Sequence, residues 1–219
     1  MGNRATTPCA ICETRRPRRH CPGIRSEICS PCCGSSREIT IDCPLECPHL
    51  QEAHRFERVP EPDIGKLPNS DVELTEAFLA RNSHLFDFLC RSLLRHAQIS
   101  PGIVDNDVKD ALESMARTYR TLQSGLYYET RPSNLYAAQL QQSLRQDLDA
   151  WLQQERQRAG IDVVRDADVL GILVMLQRIE FTRNNGRPRG RAFLGFLRQQ
   201  FPESRPADAG SHSGLIIPA

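Results

Sequence analysis

The stretch ADVLGILVMLQRIEF, from Ala167 to Phe181, carries apolar side chains over a wide arc of a helix. A helix that is apolar on most of its surface lies inside a protein or spans a membrane. A membrane span needs about 18 or more consecutive apolar residues, and polar residues interrupt the apolar run here. We therefore predict that this stretch forms the central helix of a bundle, and we expect no membrane association.

Amphipathic patterns on both sides of this stretch predict the other helices. A capping-box pattern at Ser70–Glu73 predicts the start of one helix, and Asn82-Ser83 is a candidate break in it. Alternating steps of four and three residues from Val108 to Leu126 predict a long helix with one apolar stripe. Ser133 is the predicted cap of the next helix, and RAFLGFLRQQF at Arg191–Phe201 forms the last one. The predicted fold class is mainly α, with a bundle of about five helices.

The apolar stripes also indicate which side chains face the core of the bundle. Cys90 lies among these apolar residues, so we predict a core position for it and not a nucleophile. The other predicted core positions are Val72, Leu74, Phe78, Leu85, Phe86, Leu89, Leu93, Val108, Leu112, Met115, Tyr119, Leu122, Leu126, Tyr136, Leu140, Leu144, Leu148 and Trp151 or Leu152.

Composition divides the chain of 219 residues into four regions. Residues 1–57 are rich in cysteine and form a predicted zinc-binding module, and residues 58–69 form a proline-rich linker. Residues 70–201 form the bundle, and the polar residues 202–219 are expected to be disordered. A linker with few contacts would leave the module and the bundle as separate units, whereas a pinned linker would make one composite domain. Pro60, Pro62 and Pro68 remove backbone donors and resist helix formation, so we favour the first arrangement, with the linker as a hinge.

The distribution of cysteine is uneven. Of nine cysteines, only Cys90 lies outside the segment from Cys9 to Cys47. The N-terminal sequence has no apolar stretch of the kind that signal peptides carry, so we expect a cytoplasmic protein. Disulfides are rare in that reducing compartment, where clustered cysteines more often bind a metal. The cluster therefore predicts zinc sites, and a disulfide framework in an exported protein is the alternative.

The spacing of the cysteines suits two zinc ions. Zinc takes four ligands in a tetrahedron, and a C-x-x-C turn supplies two sulfur atoms to one ion. We favour an interleaved scheme, because it keeps both C-x-x-C turns whole on the first ion. The first ion is then bound by Cys9, Cys12, Cys29 and Cys32, and the second by Cys21, Cys33, Cys43 and Cys47. A sequential scheme would instead place Cys9, Cys12, Cys21 and Cys29 on one ion.

Two features of the zinc sites stay open at this point. The assignment of Cys32 and Cys33 to separate ions is the least secure, and His20 and His49 are reserve ligands. Sites made of cysteine alone are closed and structural, whereas a catalytic zinc keeps one position open for water. We therefore predict no catalytic residues and no enzymatic activity.

Two arginine clusters are candidate phosphate contacts, because guanidinium groups bind phosphate in a bidentate manner. One cluster lies in the first zinc loop, and the other joins the last two helices. The formal net charge of +1 gives no global case for nucleic acid, and arginines around a turn are usually solvated. The candidates are Arg15, Arg16, Arg18 and Arg19 in the first cluster and Arg187, Arg189 and Arg191 in the second.

The motif ICSPCC, Ile28–Cys33, resembles the small cross-braced zinc fingers of the HIT and MYND types. Those fingers carry one more cysteine pair where this chain has only Cys21, so no residue roles are carried over. The segments HCPGI, ICSPCCGSSREITIDCPLECPHL, RTYRTLQSGLYYE and NNGRPRGRAFLGFL resemble an uncharacterised bacterial family of cysteine-rich, helix-rich proteins. This resemblance implies a bacterial cytoplasmic protein with a zinc module joined to helices.

These features predict a zinc-binding adaptor or regulatory protein that acts by binding another protein. The metal would fix the loops of the finger into a rigid surface. The bundle would supply a second contact face or a homodimer interface. The main alternative is a nucleic-acid-binding regulator that uses the two arginine clusters, and an enzyme ranks third.

Overall fold

The fold is mainly α, as predicted. A computed structural model describes residues 7–58, 61, 63–126, 128–161 and 164–202. Of the predicted linker and tail, Val59, Pro60, Pro62 and the residues after Pro202 lie outside the described residues. None of the described helices has the length and apolar character that a membrane crossing requires.

The cysteine-rich segment contains short elements only. A two-stranded antiparallel hairpin, β1 (Arg19–Cys21) and β2 (Ser26–Ile28), precedes two helices, α1 (Ser30–Ser36) and α2 (Pro48–Phe56). Each of these helices starts directly after a cysteine and has a proline in its first turn, a position where a missing backbone N–H costs nothing. Cys29 and Cys47 therefore sit at helix starts.

The rest of the described chain forms a helical bundle. Its elements are α3 (Glu76–Arg81), α4 (Ser83–Ile99), α5 (Asp105–Gln123), α6 (Leu135–Ala159), α7 (Asp166–Arg183) and α8 (Ala192–Gln200). A 3-10 turn at Ile64–Lys66 lies between the cysteine-rich segment and the bundle. Helix α7 is central, as predicted: it packs most extensively against α5 and also contacts α4 and α8.

Two predicted helix starts are wrong. The first bundle helix begins at Glu76, where the Thr75 hydroxyl accepts a hydrogen bond from the Phe78 amide at 3.1 Å. Ser70 lies in a turn. Arg178 and Arg120 of the bundle donate hydrogen bonds to Asn69, and these contacts hold the backbone before Ser70 in a turn. The cap of α6 is Asn134 and not Ser133, since the Asn134 side chain accepts from the Tyr136 amide at 2.9 Å. The predicted break before Ser83 is confirmed.

Most of the predicted stripe residues are buried or pack against the core, and Cys90 is fully buried among them. The exceptions are Leu122, which is half-buried outside the core cluster, and Leu126 and Tyr136, which are 68% and 47% exposed. Helix α5 ends at Gln123, so the stripe does not extend to Leu126. Tyr136 stands at the start of α6 and its ring lies against Gly102.

The cysteine-rich segment packs on the bundle, in contrast to the predicted hinge between two separate units. Leu45, from the loop between α1 and α2, belongs to the same buried cluster as the core residues of the bundle. Helix α2 contacts α8, and the His54 ring lies so close to Gly195 that a Cβ there would come within 2.9 Å of it. The domain boundaries stay a prediction.

The close approach of α3 to α7 at Gly171 generates a test of the packing. A Cβ at Gly171 would lie 2.3 Å from Cζ of Phe78. We expect Gly171→Ala to lower the free energy of unfolding by about 1–3 kcal/mol, since extra volume in a packed core forces strain. Chemical denaturation monitored by circular dichroism measures this change.

Two further variants control this test. Gly34→Ala is a matched substitution in α1, because a Cβ there meets no atom within 4 Å; it should leave the stability of the bundle unchanged. Adding Phe78→Leu to Gly171→Ala should recover part of the loss. Equal stability of Gly171→Ala and the wild type would show that α3 is not fixed against α7.

Candidate metal centre

The structure brings together the four cysteines of the first predicted set. The sulfur atoms of Cys9, Cys12, Cys29 and Cys32 all lie within 4.8 Å of one another. The distance between the Cys12 and Cys29 sulfur atoms is 4.0 Å. A tetrahedral zinc ion with bonds of about 2.3 Å separates its sulfur ligands by about 3.8 Å. The donor set and its dimensions therefore fit a metal ion.

The local backbone explains why these four residues converge. Cys9 and Cys12 lie in a turn that is fixed to β2, because the Ala10 amide donates to the Glu27 carbonyl at 3.0 Å. Cys29 caps α1, and its own amide donates to the Cys9 sulfur at 3.2 Å. Cys32 lies in the first turn of α1, so the helix presents its sulfur beside that of Cys29.

The pKa values in this cluster show why a cation suits it. Hydrogen bonds from the Thr14 hydroxyl and from the amides of Thr14 and Arg15 lower the pKa of the Cys12 thiol to about 5. A hydrogen bond with Cys29, together with burial and the neighbouring charges, raises the pKa of Cys32 to about 12. Four thiolates at this spacing repel one another, and a bound dication removes that repulsion.

The second predicted set is less compact. Cys21, Cys33, Cys43 and Cys47 are all buried, and they belong to the same apolar cluster as the first set. Among the described residues they do not form a group comparable to the first four. Burial raises the pKa of Cys43 to about 11, and the nearby Cys47 and Cys21 add to this shift. These three cysteines are therefore electrostatic neighbours.

The sulfur atoms of Cys32 and Cys33 have different neighbours. Cys32 joins the first cluster, whereas the Cys33 sulfur accepts a hydrogen bond from Arg19 Nη1 at 3.4 Å. Neither reserve ligand joins a cysteine cluster. His20 is exposed and contacts Glu27 at 3.2 Å, and His49 lies 3.9 Å from Glu52.

The first arginine cluster lies beside the sulfur atoms. A hydrogen bond with the Cys29 side chain raises the pKa of Arg15, and Arg19 contacts Cys33. Arg15, Arg16 and Arg18 are exposed, and Arg19 is half-buried. Guanidinium groups next to thiolates offset negative charge. Two of the predicted phosphate contacts, Arg15 and Arg19, therefore interact with sulfur, which the spacing of the arginines does not indicate.

The second arginine cluster contacts carboxylates of the cysteine-rich segment. Arg187 lies 3.3 Å from an oxygen of Glu38 and 2.6 Å from one of Glu57. Arg189 donates to Asp42 at 3.2 Å. The structure therefore places these candidate phosphate contacts in the junction between the cysteine-rich segment and the bundle.

Arg191 is buried at that junction. Its guanidinium donates to the carbonyl of Cys43 at 2.6 Å, to the carbonyl of Ile103 at 3.1 Å and to Asp42 at 3.2 Å. It also donates to the Pro101 carbonyl. One side chain thus joins the loop before Cys43 to the segment between α4 and α5.

Glu38 is fully buried and forms the acceptor side of the junction. Its carboxylate accepts from His54 at 3.0 Å, from the Arg191 amide at 2.7 Å and from Asn185 at 2.9 Å. Burial alone would raise the pKa of Glu38, but these hydrogen bonds outweigh it and lower the pKa. Sequence reasoning missed Glu38, because no pattern separates a buried glutamate from an exposed one.

A second group of metal-type atoms lies at the junction. One ligand atom from each of Glu38, His54 and Glu57 lies within 4.8 Å of the others. Both carboxylate oxygens of Glu38 already accept hydrogen bonds, and Arg187 pairs with both glutamates. This arrangement is that of a buried ion-pair network.

Residue types found in hydrolases meet where α4 packs against α6. Ser92 and His96 of α4 both contact Oδ2 of Asp147 in α6, the histidine at 2.7 Å. A nucleophilic serine needs a hydrogen bond to the histidine base, and within the described chain no such bond joins Ser92 to His96. The cluster fixes α4 against α6.

Cys90 is also a candidate nucleophile by residue type. Burial raises the pKa of its thiol to about 12, which agrees with a core role.

Comparisons of this chain with family models, with curated proteins and with solved structures found no match.

The cluster of four cysteines makes a prediction about metal content. We expect Cys12→Ser to remove one metal ion per chain, because three sulfur ligands hold a closed-shell metal far more weakly than four. Elemental analysis of the purified protein measures the ratio. Cys90→Ala is the control, since it removes a buried thiol in the bundle and should keep the full metal content. Equal metal content in Cys12→Ser and the wild type would contradict the site.

Proposed function

We propose that the protein is a zinc-binding adaptor or regulatory protein that acts through protein–protein interaction and has no catalytic activity. The cluster of Cys9, Cys12, Cys29 and Cys32 carries this proposal, since four cysteine sulfurs within 4.8 Å match a structural zinc site. A site with four protein ligands leaves no position for a water molecule, so the metal serves the structure of the loops.

We place a second zinc ion on Cys21, Cys33, Cys43 and Cys47. Their burial in one cluster and the effect of Cys47 and Cys21 on the pKa of Cys43 support this assignment. A segment with so few apolar residues needs cross-links, and two interleaved ions supply them. Binding of the second ion draws these four sulfur atoms together, because a metal site is completed by its ion.

The proposed partner surface lies on the loops that the metal fixes. Three isoleucines of this segment stay exposed: Ile11 by 40%, Ile24 by 39% and Ile39 by 47%. Ile11 lies between two ligands of the first site, so the metal holds its side chain in place. Apolar side chains on a rigid support lose little entropy when they bind a partner. The bundle then supplies a second contact face or a homodimer interface.

A nucleic-acid-binding regulator is the second candidate, and the exposure of Arg15, Arg16 and Arg18 favours it. Arg187 and Arg191 of the second cluster contact carboxylates and carbonyls within the protein, so they give less support to phosphate binding by that cluster. A steep loss of affinity with salt would identify this mode of binding.

The resemblance to bacterial proteins and the reducing conditions that thiolate ligands need support a cytoplasmic location.

The zinc stoichiometry tests the metal part of the proposal. We expect two zinc ions per chain by elemental analysis and one in Cys43→Ser, because that substitution removes a ligand of the second ion only. Mass spectrometry of protein kept from air should find no disulfide. A wild-type ratio of one, unchanged in Cys43→Ser, would remove the second site from the proposal.

The exposed isoleucines test the adaptor part. We expect the double variant Ile11→Ser, Ile39→Ser to keep its zinc but to lose a protein that copurifies with the wild type from the native cell. Affinity purification followed by mass spectrometry measures the loss. The matched control is Ile161→Ser, which changes an isoleucine that is 69% exposed at the end of α6. Identical partner profiles for the wild type and the double variant would contradict the proposed surface.

A further inference from the structure

A cleft lies between α5, α7 and the turn that follows the 3-10 helix, away from the cysteine clusters. It encloses about 410 Å³, which is within the range of small-molecule sites. One wall is apolar and includes Pro68, Ala116 and Phe181, and the floor and rim are polar. The proposed adaptor function does not use this cleft.

The wall at Pro68 and Asn69 is held rigidly. Arg178 donates to the Pro68 carbonyl at 3.2 Å and to the Asn69 carbonyl at 2.6 Å. Arg120 donates to the Asn69 side chain at 2.8 Å. Asn69 itself has a left-handed φ of 51°, a conformation that asparagine tolerates better than most residues. Two arginines therefore fix this wall before any ligand binds, which lowers the entropy cost of binding.

The floor carries two buried polar side chains from one face of α7. Gln177 is 5% exposed and Glu180 is 2% exposed. Gln177 accepts from Asn69 at 2.6 Å, and Glu180 Oε1 accepts from Asn184 at 2.6 Å. In the described part of the chain, Gln177 Nε2 and Glu180 Oε2 have no protein hydrogen-bond partner. Gln177 Nε2 and Glu180 Oε2 therefore offer one donor and one acceptor to a ligand in the cleft.

The rim is basic. Lys66 and Lys109 are the only lysines of the chain, and both line this cleft together with Arg117. Lys66 pairs with Asp63 at 3.2 Å and Arg117 pairs with Glu113. Lys109 makes no ion pair with any described residue, and its charge acts on Glu180. An unpaired ammonium group at the edge of a cleft favours an anionic ligand.

We propose that this cleft binds a nucleoside monophosphate, with its base at Gln177 and Glu180 and its phosphate at Lys109. A base edge presents the donor and the acceptor that the amide and carboxylate of the floor require. The apolar wall at Phe181 contacts the flat face of the base. The phosphate lies at the rim, where the ammonium group of Lys109 supplies a positive charge that no described carboxylate pairs with.

Titration of the full-length, zinc-loaded protein with AMP, GMP, CMP and UMP tests the site by calorimetry. We expect at least one of the four to bind, and we expect inorganic phosphate and the matching nucleoside to bind at least tenfold more weakly. Lys109→Gln should weaken the nucleotide about tenfold or more, since it removes a charged hydrogen bond. Lys109 is exposed, so this variant should fold normally. Arg158→Gln is the control, because it removes an equal charge outside the cleft.

A second variant tests the floor. Glu180→Gln exchanges an acceptor for a donor, so it should change the order of preference among the four nucleotides while circular dichroism stays unchanged. The proposal is overturned if none of the four binds, if inorganic phosphate binds as tightly as the nucleotide, or if Lys109→Gln and Arg158→Gln bind equally.

Discussion

The buried contact between the chain at Arg191 and the carboxylate of Glu38 is the constraint on which the rest of the structure depends. Burying a carboxylate and a guanidinium costs solvation free energy, which is recovered only when nearly every donor and acceptor is paired. Glu38 meets this condition through His54, Asn185 and the Arg191 amide, and Arg191 through three carbonyls and Asp42. Loss of one partner from such a network generally costs about 3–5 kcal/mol.

This network ties the metal-binding loops to the bundle. The carbonyl of Cys43, a proposed zinc ligand, accepts a hydrogen bond from Arg191, and Leu45 lies in the bundle core two residues later. Glu38 adopts a left-handed φ of 56° to reach the junction, a conformation that costs about 1–2 kcal/mol for a residue with a Cβ. The loop around the second cysteine set therefore takes its shape from the bundle as well as from the cysteines.

Periodicity and spacing predicted the parts of the structure that depend on local sequence. Helix α7, the buried position of Cys90 and the convergence of Cys9, Cys12, Cys29 and Cys32 follow from patterns that one segment carries alone. The capping box at Ser70 is wrong because Arg178 and Arg120 hold the neighbouring turn, and these arginines come from α7 and α5. Helix α1, with only seven residues, is too short to show a period and depends on its tertiary contacts.

The arginines of the second cluster show that the sequence alone does not indicate which groups a charged side chain contacts. Sequence gives their number and spacing, but Arg191 is 2% exposed and Arg187 pairs with two glutamates from the cysteine-rich segment. Only the folded arrangement shows that their partners are within the protein. A cluster that looks suited to phosphate is instead occupied by carboxylates that lie 130 or more residues away along the chain.

The proposed metal changes the charge balance further. The formal net charge of +1 counts every cysteine as neutral. With the two zinc ions that we propose, eight thiolates add −8 and two ions add +4, which gives 1 − 8 + 4 = −3 for the loaded protein. Arg15 and Arg19 then lie next to sulfur atoms whose charge they offset, so less positive potential reaches solvent. On this proposed balance, the loaded protein has no net positive charge to attract nucleic acid at long range. Contact through exposed isoleucines needs no such attraction, and this favours a protein partner.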